Sequence, residues 1–257
     1  MCDIEILVLK DTAAFEAAED VQRAAWGFKD DIHIVPAHFL GAINKHCGGS
    51  IIGALLDGQM VGFMLIVATP DRATQYLHMI GVRPNHQNGG DCVHVGESLF
   101  RFYGKEAAKN GVEELHWTFD PLQGQNASLY VHKLGARAVR YIPDAYGQSK
   151  GTGINDDLPT DRLLMSWRVG TIPATSAWTD FPPLASVAGE VGNVPDFAVE
   201  IPFDINELKK SDIDMARKFL LNNRIIFTEA LLRGYEVIDF VCQKGNQRNF
   251  YILHRDG

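Results

Sequence analysis

The sequence predicts an α/β fold of the α+β kind, built on a mixed sheet. Three observations predict it. Apolar runs of strand length alternate with stretches whose apolar residues recur at helical spacing. The region "SIIGALLDGQMVGFMLIVATP" is broken by Asp57-Gly58-Gln59, which reads as two strands joined by a tight turn. The passage "GVRPNHQNGGDCVHVGESLF", Gly81 to Phe100, leaves an apolar run, crosses adjacent glycines and enters an amphipathic pattern, the sequence form of strand, turn and helix. With 46% hydrophobic and 22% charged residues over 257 positions, the composition is that of an ordinary globular protein.

The elements follow in chain order. Residues 4–9 form a short apolar strand. Asp11 and Thr12 offer caps to a helix whose Phe15, Ala18, Val21 and Ala25 share a face. A second helix fits Pro36 to His46, stopped near Gly48-Gly49. The hairpin takes about 50–69, and "QYLHMIGV" is the strand that feeds the glycine segment. Val95, Leu99, Phe102 and Ala107 stripe the next helix, which Asn110-Gly111 ends. "VEELHWTF" is a strand, Asn126 opens a short helix reaching Gly135, and "ARAVRYI" and "DRLLMSW" are strands around a Gly/Asn/Asp loop.

Residues 171–196, rich in Pro, Gly, Ala and Ser, read as a linker between a domain at 1–170 and a C-terminal βαββ extension at 197–257. In that extension "DFAVEIP" is a strand, Ser211 and Asp214 resemble a capping box, and the helix runs to Gly234. "YEVIDFVC" and "NFYILH" flank a Lys244-Gly245-Asn246 turn.

Bulk properties narrow the function. A net charge of −8 disfavours nucleic acid as the principal partner, since backbone phosphates demand a basic surface. Cys2, Cys47, Cys92 and Cys242 form no close pair, and the scattered histidines lack metal-ligand spacing, so neither a disulfide framework nor a metal site is expected. No apolar run is long enough to span a membrane and the N-terminus lacks a secretory pattern, which makes a cytoplasmic location the default.

A glycine turn that opens a helix aims backbone N–H groups and the helix dipole at one point, a natural seat for phosphate. "IGVRPNHQNGGDCVHVGESL" resembles the acetyl-CoA-binding segment of the GNAT N-acetyltransferases. Ile80, Val82 and Pro84 match the strand, Gln87 and Gly90 two fixed loop positions, and Cys92 takes the last. "HWTFDPLQ", "KLGA" and "LPTDRLL" are similar to a branch of predicted acetyltransferases that carries a C-terminal extension. The resemblance implies a GNAT-like fold with acetyl-CoA, or another acyl-CoA, as co-substrate. It implies acyl transfer to the primary amine of a small molecule by direct attack. The rival expectation is a degenerate GNAT-fold module that binds a ligand or a protein. A homodimer is compatible with either.

Under that resemblance Met79, Ile80, Gly81 and Val82 would pair with pantetheine, and the backbone of Gln87, Asn88, Gly89, Gly90, Asp91 and Cys92 would grip the pyrophosphate. Asp91 places negative charge beside a dianion, a cost on the order of 1 kcal/mol that weakens binding. His78, by strand alternation on the face of Ile80 and Val82, is the expected general base. The family's general acid is a tyrosine four residues before the helix-ending glycine. That position is Val131, so Tyr130 is one residue out and acts only if the helix is reshaped. Asn126 either contacts pantetheine or caps its helix. Asp120 either orients the amine or caps the turn at Pro121, and Tyr141 and Tyr146 are substrate-site candidates.

Overall fold

The computed structural model describes residues 4–28, 30–89, 94–147, 158–171, 181–185 and 194–256. The chain divides into two compact units. The first runs to Trp117 and includes Arg168–Gly170, and the other described residues from Thr118 onward form the second. This line differs from the expected division at 170 and 196: the C-terminal strands share their unit with 118–147.

In the first unit β1 (Ile4–Val8), β2 (Ser50–Leu56), β3 (Gln59–Ala68) and β4 (Thr74–Val82) are antiparallel in that order. β5 (Glu114–Phe119), which starts in this unit, lies beside β4 in parallel. The β2–β3 turn follows from its Asp-Gly pair: Asp57 and Gly58 both take positive φ (51° and 77°), the backbone a two-residue hairpin needs. Helix α1 (Thr12–Trp26) begins where the Asp11 carboxylate accepts from the Ala14 N–H, and ends at Gly27, whose φ of 64° suits glycine. Its Phe15, Ala18 and Val21 pack with Leu40 and Ile43 of α2 (Ala37–His46) and with Phe63 and Leu65 of β3. The wholly buried Gln22 is satisfied at both ends of its amide, donating to the Val35 carbonyl (3.1 Å) and accepting from the Val35 N–H (2.8 Å).

Helix α3 (Val95–Lys109) is the amphipathic helix expected after the glycine segment. It comes close to the sheet at Gly62, where a Cβ would stand 2.8 Å from Val95 Cγ1. Between β4 and α3 the chain makes a 3₁₀ turn, Pro84–Gly89, which sequence periodicity did not signal.

In the second unit β6 (Arg137–Ile142) and β7 (Arg162–Arg168) are antiparallel. A separate three-stranded sheet has the order β8 (Asp196–Ile201), β10 (Arg248–His254), β9 (Glu236–Gln243), with Ala198, Phe250 and Ile252 at its core. Helix α6 (Ile213–Leu232) brings Arg224 to Asp161. Tyr251 donates to the Pro121 carbonyl (2.7 Å), and His132 bonds Asp239 (2.9 Å).

Three local expectations are corrected. Ser211 caps no helix; it ends α5 (Ile205–Ser211), where its hydroxyl donates to the Glu207 carbonyl. Asp204 starts that unexpected helix, and Asp212, accepting from the Met215 N–H, starts α6. Within the expected linker, the segment 181–185 is not free. Ala185 N–H donates to the Ala198 carbonyl and Ala198 N–H to the Pro183 carbonyl, a parallel bridge onto β8. The short helix α4 (Gly124–Ala127) opens at Gln123, not at Asn126, and its Gly124 lies so close to Asn249 that a Cβ there would be 2.4 Å from its Nδ2.

Candidate functional site

The site begins with a misfit in a ladder. Leu65 of β3 faces Met79 and Ile66 faces Leu77, so His78 stands opposite no residue. One extra residue on one strand is a β-bulge, which bends the strand and re-aims its side chains. Simple alternation from His78 to Val82, as the sequence suggested, is therefore interrupted at His78 itself. Its ring is reached by solvent, yet crowded enough by protein that desolvation lowers its pKa below the usual imidazole value.

Among the described residues β4 pairs with β5 only at Thr74, Gln75 and Tyr76. Leu77–Val82 thus keeps one edge outside any β4–β5 ladder. The Arg83 N–H donates to the Val61 carbonyl (2.8 Å), so by two-residue alternation Gly81 and Met79 aim their backbone groups at β3. Ile80 and Val82 aim theirs at the open edge. Of the four residues expected to pair with pantetheine, these two have the orientation for it. Gly81 serves packing instead: a Cβ would meet Phe63 at 2.9 Å and Trp26 at 3.0 Å.

Beyond Val82 the His86 N–H donates to the Arg83 carbonyl, closing the 3₁₀ turn that contains Asn88 and Gly89. Gln87 Nε2 donates to the Val82 carbonyl at 2.8 Å. The Gln87 side chain thus ties the turn back to the strand. Gly90, Asp91 and Cys92 lie outside the described residues. Helix α3 begins after His94, whose side chain does not cap it. An open strand edge suits amide pairing and a helix start suits phosphate, the two features an acyl-CoA requires, so the residues present fit that molecule.

The remaining candidates belong to the second unit. Ser128–Lys133 is a π-helical segment, with Leu134 N–H donating to the Leu129 carbonyl. A π turn holds one more residue than an α turn. Tyr130 lies within this segment. It is buried, its ring edge-on to Phe119 at 5.1 Å, and desolvation raises its hydroxyl pKa, so it stays protonated. Asn126 lies within α4 rather than at its cap. Asp120 caps the turn at Pro121, accepting from the Leu122 N–H (2.9 Å).

Tyr141 is removed from the substrate candidates by its neighbours. It is buried, stacked on Phe227, and its hydroxyl donates to Asp161 (2.7 Å). Burial and the Asp161 carboxylate both push that hydroxyl pKa up. Asp161 takes a bidentate pair from Arg224 (2.8 and 2.6 Å) and the Asp144 N–H. Although burial alone would raise its pKa, these donors hold the carboxyl below its ordinary value. Tyr146 fits its expectation better: it is 60% exposed, bonds Thr118 Oγ1 (2.6 Å) and lies under the Arg162 guanidinium. Arg162 and the half-buried Lys209 near Asp120 escaped the sequence reading, because no periodicity marked α5 and a single arginine in a strand carries no signal.

The first unit is thus a mixed α/β domain whose bulged strand β4 has a half-open edge and is followed by a 3₁₀ turn and then helix α3. The comparisons make the class specific. Residues 13–136 match the family model described as the acetyltransferase (GNAT) family, and this part of the chain is a GNAT domain. Solved structures with this fold include the ribosomal-protein-S18-alanine N-acetyltransferase of Escherichia coli. It is 18% identical with a TM-score of 0.51, over 68% of this chain and 99% of that one. The ribosomal-protein-alanine N-acetyltransferase of Brucella melitensis is 20% identical with a TM-score of 0.52, over 64% of this chain and 99% of that one. At such identities the likeness carries the fold alone. No curated protein matches the sequence. Among the described residues no group of His, Cys, Asp and Glu has the arrangement of a metal site, and no helix is long and apolar enough to cross a membrane.

Proposed function

We propose that the chain is an acetyl-CoA-dependent N-acetyltransferase that modifies the primary amine of a small molecule. The observation that carries this reading is the β4 edge from Leu77 to Val82, left without a β5 partner and bulged at His78. Acetyl-CoA supplies an already activated thioester, so no covalent enzyme intermediate is needed. The outward N–H and C=O groups of Ile80 and the N–H of Val82 bind the pantetheine amides. The backbone of 87–92 and the start of α3 bind the pyrophosphate.

The amine nitrogen attacks the thioester carbonyl carbon; a C–N bond forms and the C–S bond breaks. His78, neutral over a wider pH range because its pKa is lowered, takes the ammonium proton. The leaving thiolate recovers a proton from Tyr130 or from water. Asp120 and Tyr146 are the candidates to meet the acceptor.

The test is a calorimetric titration of the full chain with acetyl-CoA, succinyl-CoA and free CoA, repeated with Gly90→Val. The expected result is micromolar binding that the substitution abolishes, with the preferred acyl group turned over on an amine. Binding without turnover on any amine would favour the ligand-binding module. No binding by any of the three would sink the proposal.

A further inference from the structure

At one end of the C-terminal sheet an imidazole stands between carboxylates. His254 closes β10, with Asp196 of β8 as its register partner on one side and Glu236 of β9 on the other. Its Nδ1 lies 2.7 Å from Asp196 Oδ1 and its Nε2 lies 3.0 Å from Asp256 Oδ1. A neutral imidazole has one N–H and can donate to only one of the two. Its other nitrogen would then set a lone pair against a carboxylate oxygen. The imidazolium, with two N–H groups, makes both bonds.

The charges around the ring favour that form. Asp196 comes from β8, and Glu236 comes from β9, where it also pairs with Arg137 of β6 at 3.5 Å. Asp256 and Arg255 follow His254 on its own strand. The Arg255 guanidinium is turned to other partners: it lies 4.6 Å from the centre of the Tyr235 ring and donates to the Arg233 carbonyl (3.4 Å). The Arg233 side chain pairs with Glu229. The bonds to Asp256 and Asp196 raise the imidazole pKa above its ordinary value. With its side chain 37% exposed, the ring exchanges protons with bulk water.

The same corner fastens the chain where it enters β8. The Tyr235 hydroxyl donates to the Val194 carbonyl (2.5 Å), and the Arg255 N–H donates to the Pro195 carbonyl (2.9 Å). Those bonds do not depend on a side-chain proton at neutral pH. The tie through His254 does.

We propose that His254 is a proton-operated clasp: the imidazolium fastens the residues after β10 to the start of β8, and the neutral ring lets them go. The neutral ring keeps Asp196, which the β8–β10 ladder holds opposite it, and releases the exposed Asp256. The C-terminal sheet is thereby closed at its end in acid and neutral solution and loosened there as pH rises.

The experiment is an NMR titration of the full chain, with the His254 ring signals identified by their loss in His254→Gln. The midpoint is expected above the usual imidazole value of about 6.5. Asp256→Asn and Asp196→Asn should each lower it. The Arg255 and Asp256 amide signals should move with the same midpoint and stay still in His254→Gln. A midpoint at or below 6.5, or one that neither asparagine variant lowers, would overturn the proposal. So would amide signals that do not follow the ring, since that result leaves an ionisation without a release.

Melting gives an independent reading. A raised folded pKa contributes stability that is complete below the unfolded value and is lost as pH rises through the folded one. Wild type is expected to melt about 1–4 °C above His254→Gln in mildly acidic solution, and the gap should close with rising pH. A gap that is constant or widens with pH would refute the clasp.

Discussion

Replacing Asp161 by asparagine tests how much of the second unit hangs on one carboxylate. Asp161 is 1% exposed and receives the two Arg224 bonds at 2.8 and 2.6 Å, the Tyr141 hydroxyl at 2.7 Å and the Asp144 N–H at 3.0 Å. Asparagine keeps the shape but removes the charge and turns one acceptor into a donor that meets O–H or N–H groups. Breaking a buried pair from one side costs about 3–5 kcal/mol. The Arg224 side chain is 29% exposed, so part of its abandoned charge is rehydrated and about 2–3 kcal/mol is the expected loss.

Calorimetric melting reads this as a Tm drop of roughly 5–10 °C for a unit of this size. Arg224→Met should cost a similar amount, and the double variant should cost less than the two together. The sign with pH follows from the depressed carboxyl. Asp161 contributes its stabilisation fully above the ordinary carboxylate pKa of about 3.9, and loses it as pH falls through the lower folded value. Wild type and Asp161→Asn should therefore converge in strongly acidic solution. A Tm change under 2 °C at neutral pH, or strict additivity in the double variant, would refute the reasoning.

Other outcomes follow from single contacts. His78→Gln should lower kcat about 10²- to 10⁴-fold and remove the acid limb of the kcat/KM profile. In the wild type that limb should lie below about pH 6.5, because desolvation lowers the imidazole pKa. Gly81→Ala should destabilise the first unit by about 1–3 kcal/mol in chemical denaturation, since the new methyl would meet Phe63 at 2.9 Å and Trp26 at 3.0 Å. Tyr251→Phe strips the 2.7 Å bond from the Pro121 carbonyl and should cost about 1–2 kcal/mol by the same measurement.

Local chemistry made much of this fold legible. Asp11 and Gly27 bracket α1 as their side-chain and backbone preferences require, and Asp57-Gly58 turns the hairpin. Apolar spacing placed the remaining long helices and every strand. The GNAT segment was readable because its loop positions are fixed by backbone geometry and so by residue type. Features that depend on long-range partners were not readable. The bulge at His78 exists only in relation to the register of β3, and nothing in "QYLHMIGV" records it. Tyr141 reads as a substrate-site candidate until Asp161 and Arg224, 20 and 83 positions later, are brought to it. The need for glycine at 124 comes from Asn249, which lies near the other end of the chain. Ser211 misled because a nearer carboxylate, Asp212, made the better cap.

The bonds from the C-terminal segment back to 118–167 bear on what a shortened chain could be. Tyr251 answers the Pro121 carbonyl, Arg224 answers Asp161, and Asp239 answers His132. The E. coli structure is covered almost in full by 68% of this chain. A chain cut after residue 170 would match such a relative in length but would bury an uncompensated aspartate and expose the faces that Phe227 and Tyr251 now cover. The extra residues therefore act as the missing half of a core, and trimming them to the length of shorter relatives would yield an aggregating fragment rather than a minimal enzyme.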